Sequence, residues 1–237
     1  MSLETLKTKV GLLIEKAQSG GGVTENVYQW LRDRYLEGKY MTFQNSEMSF
    51  FPEGIDFSNL TTMAYMFHNN KNLLVMPDIG STAKVKSFDH CWAGCSSLAE
   101  LPPLDLSGCT NATYLATATA IKSLTLYNTA GVKIWGQLAN NCPNLETIST
   151  LDCSGATTFQ NWLQNSIAVR NLSFVPETIK VSINIPSAVL TAESIQSIID
   201  GLATVETAQT LTLNATVKAK LTETQLATIT SKNWNLA

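Results

Sequence analysis

Phe88-Asp89-His90-Cys91-Trp92-Ala93-Gly94-Cys95-Ser96-Ser97-Leu98-Ala99-Glu100-Leu101-Pro102-Pro103-Leu104-Asp105-Leu106-Ser107 is the stretch from which the fold is read. A bulky apolar residue, Phe88, is followed ten positions later by Leu98 and three further on by Leu101. The same spacing recurs at Met63/Leu73, Tyr114/Leu124, Trp135/Leu145 and Trp162/Leu172, with Met76, Tyr127, Ile148 and Val175 three residues past each leucine. The starts lie 25, 26, 21 and 27 residues apart. Seven past each start stands a small or medium residue: Asn70, Cys95, Ile121, Cys142 and Val169. Asp-x-Ser turns open units at Asp56, Asp105 and Asp152. Self-similarity at a period of about 20–50 residues is the mark of a repeat architecture.

One unit explains itself physically. The short Leu-x-x-apolar segment, bounded by Asn, Pro or Ser, suits one strand, and the preceding Met63-Ala64-Tyr65-Met66-Phe67 or Trp135-Gly136-Gln137-Leu138 suits a helical turn on the other side. A single unit cannot bury its own apolar face; stacked units share a core and a ladder of parallel strands. Pro77, Pro102 and Pro176 follow the last apolar position of their strands, where a missing N–H does no harm. The aspartates and the hydroxyls after them are placed to bond nearby backbone N–H groups and start the next turn. Cys95 and Cys142 fall in one column as small inward side chains, and Met63, Phe88, Tyr114, Trp135 and Trp162 read as a stacked core rather than a sugar-binding row.

The motif apolar-x-x-[Met/Cys]-[Phe/Trp]-x-x-[Asn/Cys]-x-x-Leu, seen from Met63 to Leu73 and from Phe88 to Leu98, resembles the BspA-type leucine-rich repeats, as does the run from Leu98 to Ser107. The resemblance covers residues 56–176; Thr117-Ala118 and Asn165-Ser166 replace the Met/Cys-aromatic pair in later units. It implies an α/β leucine-rich-repeat solenoid with a parallel strand ladder, and a binding module of bacterial surface or phage and prophage proteins. Residues 1–50 then form a helical N-terminal segment, 51–182 the solenoid of five repeats, and 183–237 an α/β C-terminal cap.

Both ends carry their own signals. Leu6, Val10, Leu13, Ile14 and Ala17 recur at helical spacing, Ser19-Gly20-Gly21-Gly22 breaks the pattern, and residues 25–38 read as a second helix. The glycine run lacks the order of a phosphate loop and reads as a joint. Residues 191–201 form a capped helix with Ile195, Ile198 and Ile199 on one side, residues 210–213 a strand, and 222–230 another helix. The segment 190–234 is similar to a cap that follows such repeats in phage-encoded and gut-bacterial proteins.

Composition narrows the function. The 237 residues are 44% hydrophobic and only 15% charged, with a net charge of −3, so nothing argues for nucleic acid or anionic lipid. No apolar run suits a membrane span and the start lacks a signal-peptide cleavage pattern. All five cysteines lie between residues 91 and 153; an odd number argues against a disulfide framework. His90-Cys91-x-x-x-Cys95 has half the look of a metal site, yet His68 is the only other histidine and no second cysteine pair has zinc spacing. Buried thiols acting as small hydrophobes are expected, with no metal and no cofactor. Few catalytic arrangements are open to two histidines, and Gly-x-Ser-x-Gly is absent, so no enzyme activity is expected. His90 is expected in a helical turn, pointing to solvent.

The reading that results is a non-enzymatic module binding a protein or glycan on a host or neighbouring cell, outside the cell or on a virion. Ala99, Glu100, Glu146, Thr147, Ser173 and Phe174, between the strands' apolar positions, are the expected contacts. The alternative is a structural subunit of a phage tail or surface appendage, homo-oligomeric through its N-terminal helices, with the repeats as spacer.

Overall fold

A computed structural model describes residues 43–45, 49, 51 and 57–237. The helices expected at residues 1–18 and 25–38, and the turn at Asp56, lie outside the described residues. What is described is a mixed α/β chain of short parallel strands in small sheets, with few helices.

Backbone hydrogen bonds join segments about two dozen residues apart. The N–H of Met63 donates to the Ser87 carbonyl (3.0 Å), Phe88 to Asn111 (3.0 Å), Ala112 to Ile134 (2.9 Å) and Trp135 to Thr158 (3.2 Å). Equivalent positions are therefore Met63, Phe88, Ala112, Trp135 and Phe159, at steps of 25, 24, 23 and 24 residues. Two of the five expected starts are corrected: Tyr114 lies two residues beyond the third start and Trp162 three beyond the fifth. Bulk misleads here. The third unit fills the slot with Ala112, and Trp162 occupies the next inward slot, that of Met66, Cys91, Leu115 and Leu138.

The leucine column shifts accordingly. Leu73, Leu98, Ile121, Leu145 and Val169 stand in one fully buried file. Leu124 and Leu172 stand one column further on, with Met76, Leu101 and Ile148. Strand β2 (Ser123–Leu124) pairs in parallel with β4 (Thr147–Ile148), and bridges at Val75/Glu100 and Thr147/Asn171 extend the same side. Strand β1 (Leu104–Asp105) pairs in parallel with β3 (Leu126–Tyr127). Tyr127 and Val175, expected as apolar strand ends, are exposed.

On the opposite side the expected helical turn is replaced by consecutive tight turns. Met66 N–H returns to the Met63 carbonyl (3.1 Å) and Asn70 to Phe67 (3.2 Å); Cys91 and Cys95 repeat this onto Phe88 and Trp92. The third residue of each turn is left-handed: Tyr65, His90, Tyr114, Gln137 and Asn161 in the first, with φ from 50° to 57°, and Asn69, Gly94, Ala118, Asn141 and Asn165 in the second. A left-handed residue every fourth position stops any helix from propagating. It also frees alternate N–H groups for the neighbouring segment: Met63, Tyr65, Phe67 and Asn69 donate to Ser87, Asp89, Cys91 and Ala93.

Hydroxyl side chains complete the register where backbones diverge. The Thr82 hydroxyl donates to the Asp105 carbonyl (3.0 Å) and accepts from the Asp105 N–H (2.7 Å). Thr129 does the same to Asp152 (3.0 and 2.8 Å), and Ser149 to Leu126 (2.7 and 2.8 Å). One hydroxyl thus stands in for both backbone groups of a missing strand, which gives the abundant Thr and Ser a structural task. The expected Asp-x-Ser turns form: Asp105 accepts from the Ser107 N–H (2.9 Å) and hydroxyl (2.5 Å), and Asp152 from those of Ser154 (2.9 and 2.6 Å).

The C-terminal part is a parallel sheet in the order β5 (Ile183–Ile185), β6 (Gln209–Leu213), β7 (Trp234–Leu236). Helix α1 (Ala192–Gly201) links β5 to β6, while α2 (Ala215–Lys218) and α3 (Glu223–Ser231) link β6 to β7. The cap expected on α1 forms, Thr191 accepting from the Ser194 N–H, and α3 carries a capping box of Thr222 with Gln225. Helix α1 docks by its serines. Ser194 donates to the Arg170 carbonyl (3.0 Å) and accepts from Leu172 N–H (2.9 Å), while Ser197 accepts from Phe174 N–H (2.9 Å). Lys232 places its ammonium on the carbonyls of Ile199, Asp200 and Leu202 (3.3, 3.2 and 2.6 Å) at the helix end. One hydrophobic cluster runs from Phe43 to Trp234.

Candidate binding surface

The L-x-x-L segments turn two residues outward between two inward ones, and the register sets those pairs side by side. The outward pairs are Leu74-Val75, Ala99-Glu100, Lys122-Ser123, Glu146-Thr147 and Arg170-Asn171. Ala99, Glu100 and Glu146 are exposed as expected, and Thr147 is half-buried. Ser173 is half-buried, its hydroxyl 2.7 Å from that of Thr150. Phe174 is a correction. It is 4% exposed, with its ring centroid 6.1 Å from that of Trp162. The three-residue slip in the fifth unit put Ser173 and Phe174 where Arg170 and Asn171 stand. Lys122, Ser123, Arg170 and Asn171 were missed for want of register, whereas Leu74 and Val75 lie between Leu73 and Met76 as the spacing had them but were not singled out. The row carries two acids, Glu100 and Glu146, against two bases, Lys122 and Arg170, so it has no strong field of either sign.

The tight-turn side carries a different row. His90 lies between Tyr65 and Tyr114, with ring centroids 4.6 and 4.1 Å away and planes inclined by 7° and 22°. Gln137 continues the file and donates its amide to the Tyr114 hydroxyl. His90 is therefore half-buried in a stack and not in a helical turn; its Nδ1 is 2.8 Å from the Asp89 carboxylate. His68 meets both Tyr65 and His90 edge-on, and Gln44 donates to its Nδ1 (2.8 Å). Burial first, and then the neighbouring His90, hold the His68 pKa below its ordinary 6.5. Tyr114 thus belongs to a surface row and not to the inner stack.

The five cysteines are free and buried. Burial pushes the Cys91 thiol well up, Cys95 to about 12 and Cys109 to about 11, and raises Cys142 and Cys153 as well. Thiols so protonated are poor nucleophiles, and Cys91 beside His90 is no activated pair. Their column has a second task. Cys95 and Cys142 donate to the Phe67 and Ala116 carbonyls of the preceding segment (3.0 and 3.1 Å). Thr119 and Ser166, in the places assigned to Ile121 and Val169, donate to Ala116 and Ala139 (2.8 and 2.6 Å).

Among the described residues no group of three His, Cys, Asp or Glu side chains is placed to hold a metal ion, and no helix is long and apolar enough to cross a membrane. Comparison with protein families, curated proteins and solved structures finds no match for the chain.

Proposed function

We propose that the chain is a non-enzymatic leucine-rich-repeat solenoid of the BspA type. In this reading it presents the outward row from Leu74 to Asn171 to a protein or glycan at a cell or virion surface. The observation that carries the reading is the parallel register: outward pairs lie side by side in two runs, Leu74-Val75 with Ala99-Glu100, and Lys122-Ser123 with Glu146-Thr147 and Arg170-Asn171, with the paired strands about 4.8 Å apart. A near-neutral row of mixed side chains suits partner recognition by contact. The α/β sheet at the C-terminal end serves as the cap that a stack of identical faces requires.

The test is the triple variant Glu100→Ala/Glu146→Ala/Arg170→Ala, screened beside the parent chain against host-surface proteins and glycans. These side chains are exposed, so the Tm stays within about 2 °C of the parent. Binding to the captured partner weakens at least tenfold. Undiminished binding, or a loss of Tm in place of a loss of binding, removes this row as the recognition surface.

A further inference from the structure

We infer a second recognition site, for a neutral carbohydrate, in the cleft between the last tight-turn segment and the sheet β5-β6-β7. The inference rests on the reading of the chain as a binding module and adds to it a place and a ligand class. The cleft has a volume of about 460 Å³, in the range of sites that hold small ligands. The half-buried Val181 supplies its apolar surface, above the buried Phe159 and Ile183. Gln160, Asn161, Asn184, Thr210 and Thr212 supply amides and hydroxyls, and none of these five side chains is hydrogen-bonded to another described residue.

Their neighbours are already engaged. The Gln209 side-chain amide oxygen accepts from the Ser182 N–H (2.9 Å) and hydroxyl (3.0 Å), and the Ser182 hydroxyl oxygen accepts from the Thr210 N–H (2.9 Å). The Trp162 indole N–H donates to the Asn184 carbonyl (2.8 Å), tying β5 to the core. The walls are thus held by one set of groups while another set is left for a ligand. No Asp, Glu, Lys, Arg or His lines the cleft. An ionic ligand would shed water there without meeting a countercharge. Amides and hydroxyls each offer both donors and acceptors, which is what a ring of hydroxyl groups requires, and Val181 offers an apolar edge to the C–H face of a sugar. Together these features select an uncharged, polyhydroxylated ligand.

The full chain is titrated by ligand-observed NMR with neutral gluco-, galacto- and manno-configured oligosaccharides, and with sialylated and sulfated counterparts. The cleft variant Asn184→Ala/Thr212→Val and the strand-row triple variant run in parallel. A neutral sugar is expected to bind the parent and the strand-row variant equally, and the cleft variant about tenfold or more weakly, since two hydrogen bonds are lost. Gln160→Ala, at an exposed rim position, repeats the test should the double variant lower the Tm. The inference is overturned if no neutral sugar binds, if only charged glycans bind, or if neither cleft variant weakens the sugar. A protein partner lost by the strand-row variant while no sugar binds would leave the binding-module reading standing and remove the cleft from it.

Discussion

Gly155 shows how closely successive segments approach. A Cβ built there would lie 2.4 Å from the Ala130 carbonyl oxygen, and one at the equivalent Gly108 would lie 2.5 Å from that of Ala83. Both obstacles are backbone, which cannot swing aside as a side-chain tip can. At Gly131, the same position in the unit between them, the nearest atom would be 3.6 Å away. Gly155→Ala is therefore expected to cost on the order of 2–3 kcal/mol in urea unfolding, and Gly131→Ala less than about 0.5 kcal/mol. Equal effects of the two would show that segment spacing is not what excludes a methyl group. The Asp105 and Asp152 turns that precede these glycines were legible from Asp-x-Ser alone, since an aspartate bonding the N–H two residues on is a local event. The close approach was not legible, because Ala130 and Ala83 are supplied by the preceding segment.

Helix α1 ends one side of the stack by imitating another segment. Its Ser194 takes both the Leu172 N–H and the Arg170 carbonyl, so a helix with no free backbone of its own satisfies an edge that would otherwise meet apolar core. Ser194→Ala leaves the buried Leu172 N–H without its acceptor, and a loss of about 1–3 kcal/mol in chemical denaturation is expected. Amide exchange at Leu172 is the sharper readout: it accelerates in the variant if the hydroxyl is its acceptor and stays as slow as in the parent if it is not. The helix itself, with Thr191 as its cap and Ile195, Ile198 and Ile199 on one face, was readable from residue spacing. Its serines were not, because a serine on a helix is silent until the opposing edge is known. The expected helical turns of the repeat failed for a related reason. Met63, Met66 and Phe67 have helical spacing and are all buried, but the left-handed residues at 65 and 69 place them inward through two turns.

Across the molecule the inner columns tie segment to segment, and the outer row of Tyr65, His90 and Tyr114 clasps the first units from outside. His68, edge-on to Tyr65 and His90 of this row, brings a pH dependence. With the His68 pKa below 6.5 in the folded chain, the unfolded chain binds its proton more readily. The contribution is present in full above about pH 6.5 and declines as the pH falls from there through the folded pKa. The Tm of the parent is expected to drop more between pH 7.5 and 5.5 than that of His68→Gln, and identical pH profiles would remove His68 as the source.

The period, the inward leucines, the turn aspartates, the burial of the five thiols and the C-terminal helices were all determined by sequence. Each depends on spacing within one segment or on a side chain's dislike of water, and both are written locally. Register was decided only in three dimensions. Ala112 and Phe159 hold the starting slot because the Ala112 N–H meets the Ile134 carbonyl and the Thr158 carbonyl, just before Phe159, meets the Trp135 N–H, and no property of an alanine announces that. From register followed the placing of Phe174 inside, of Arg170 and Asn171 outside, and of the stack around His90. Side chains that act across segments, such as Thr82, Thr129 and Ser166, acquire their partners only when the segments are laid together.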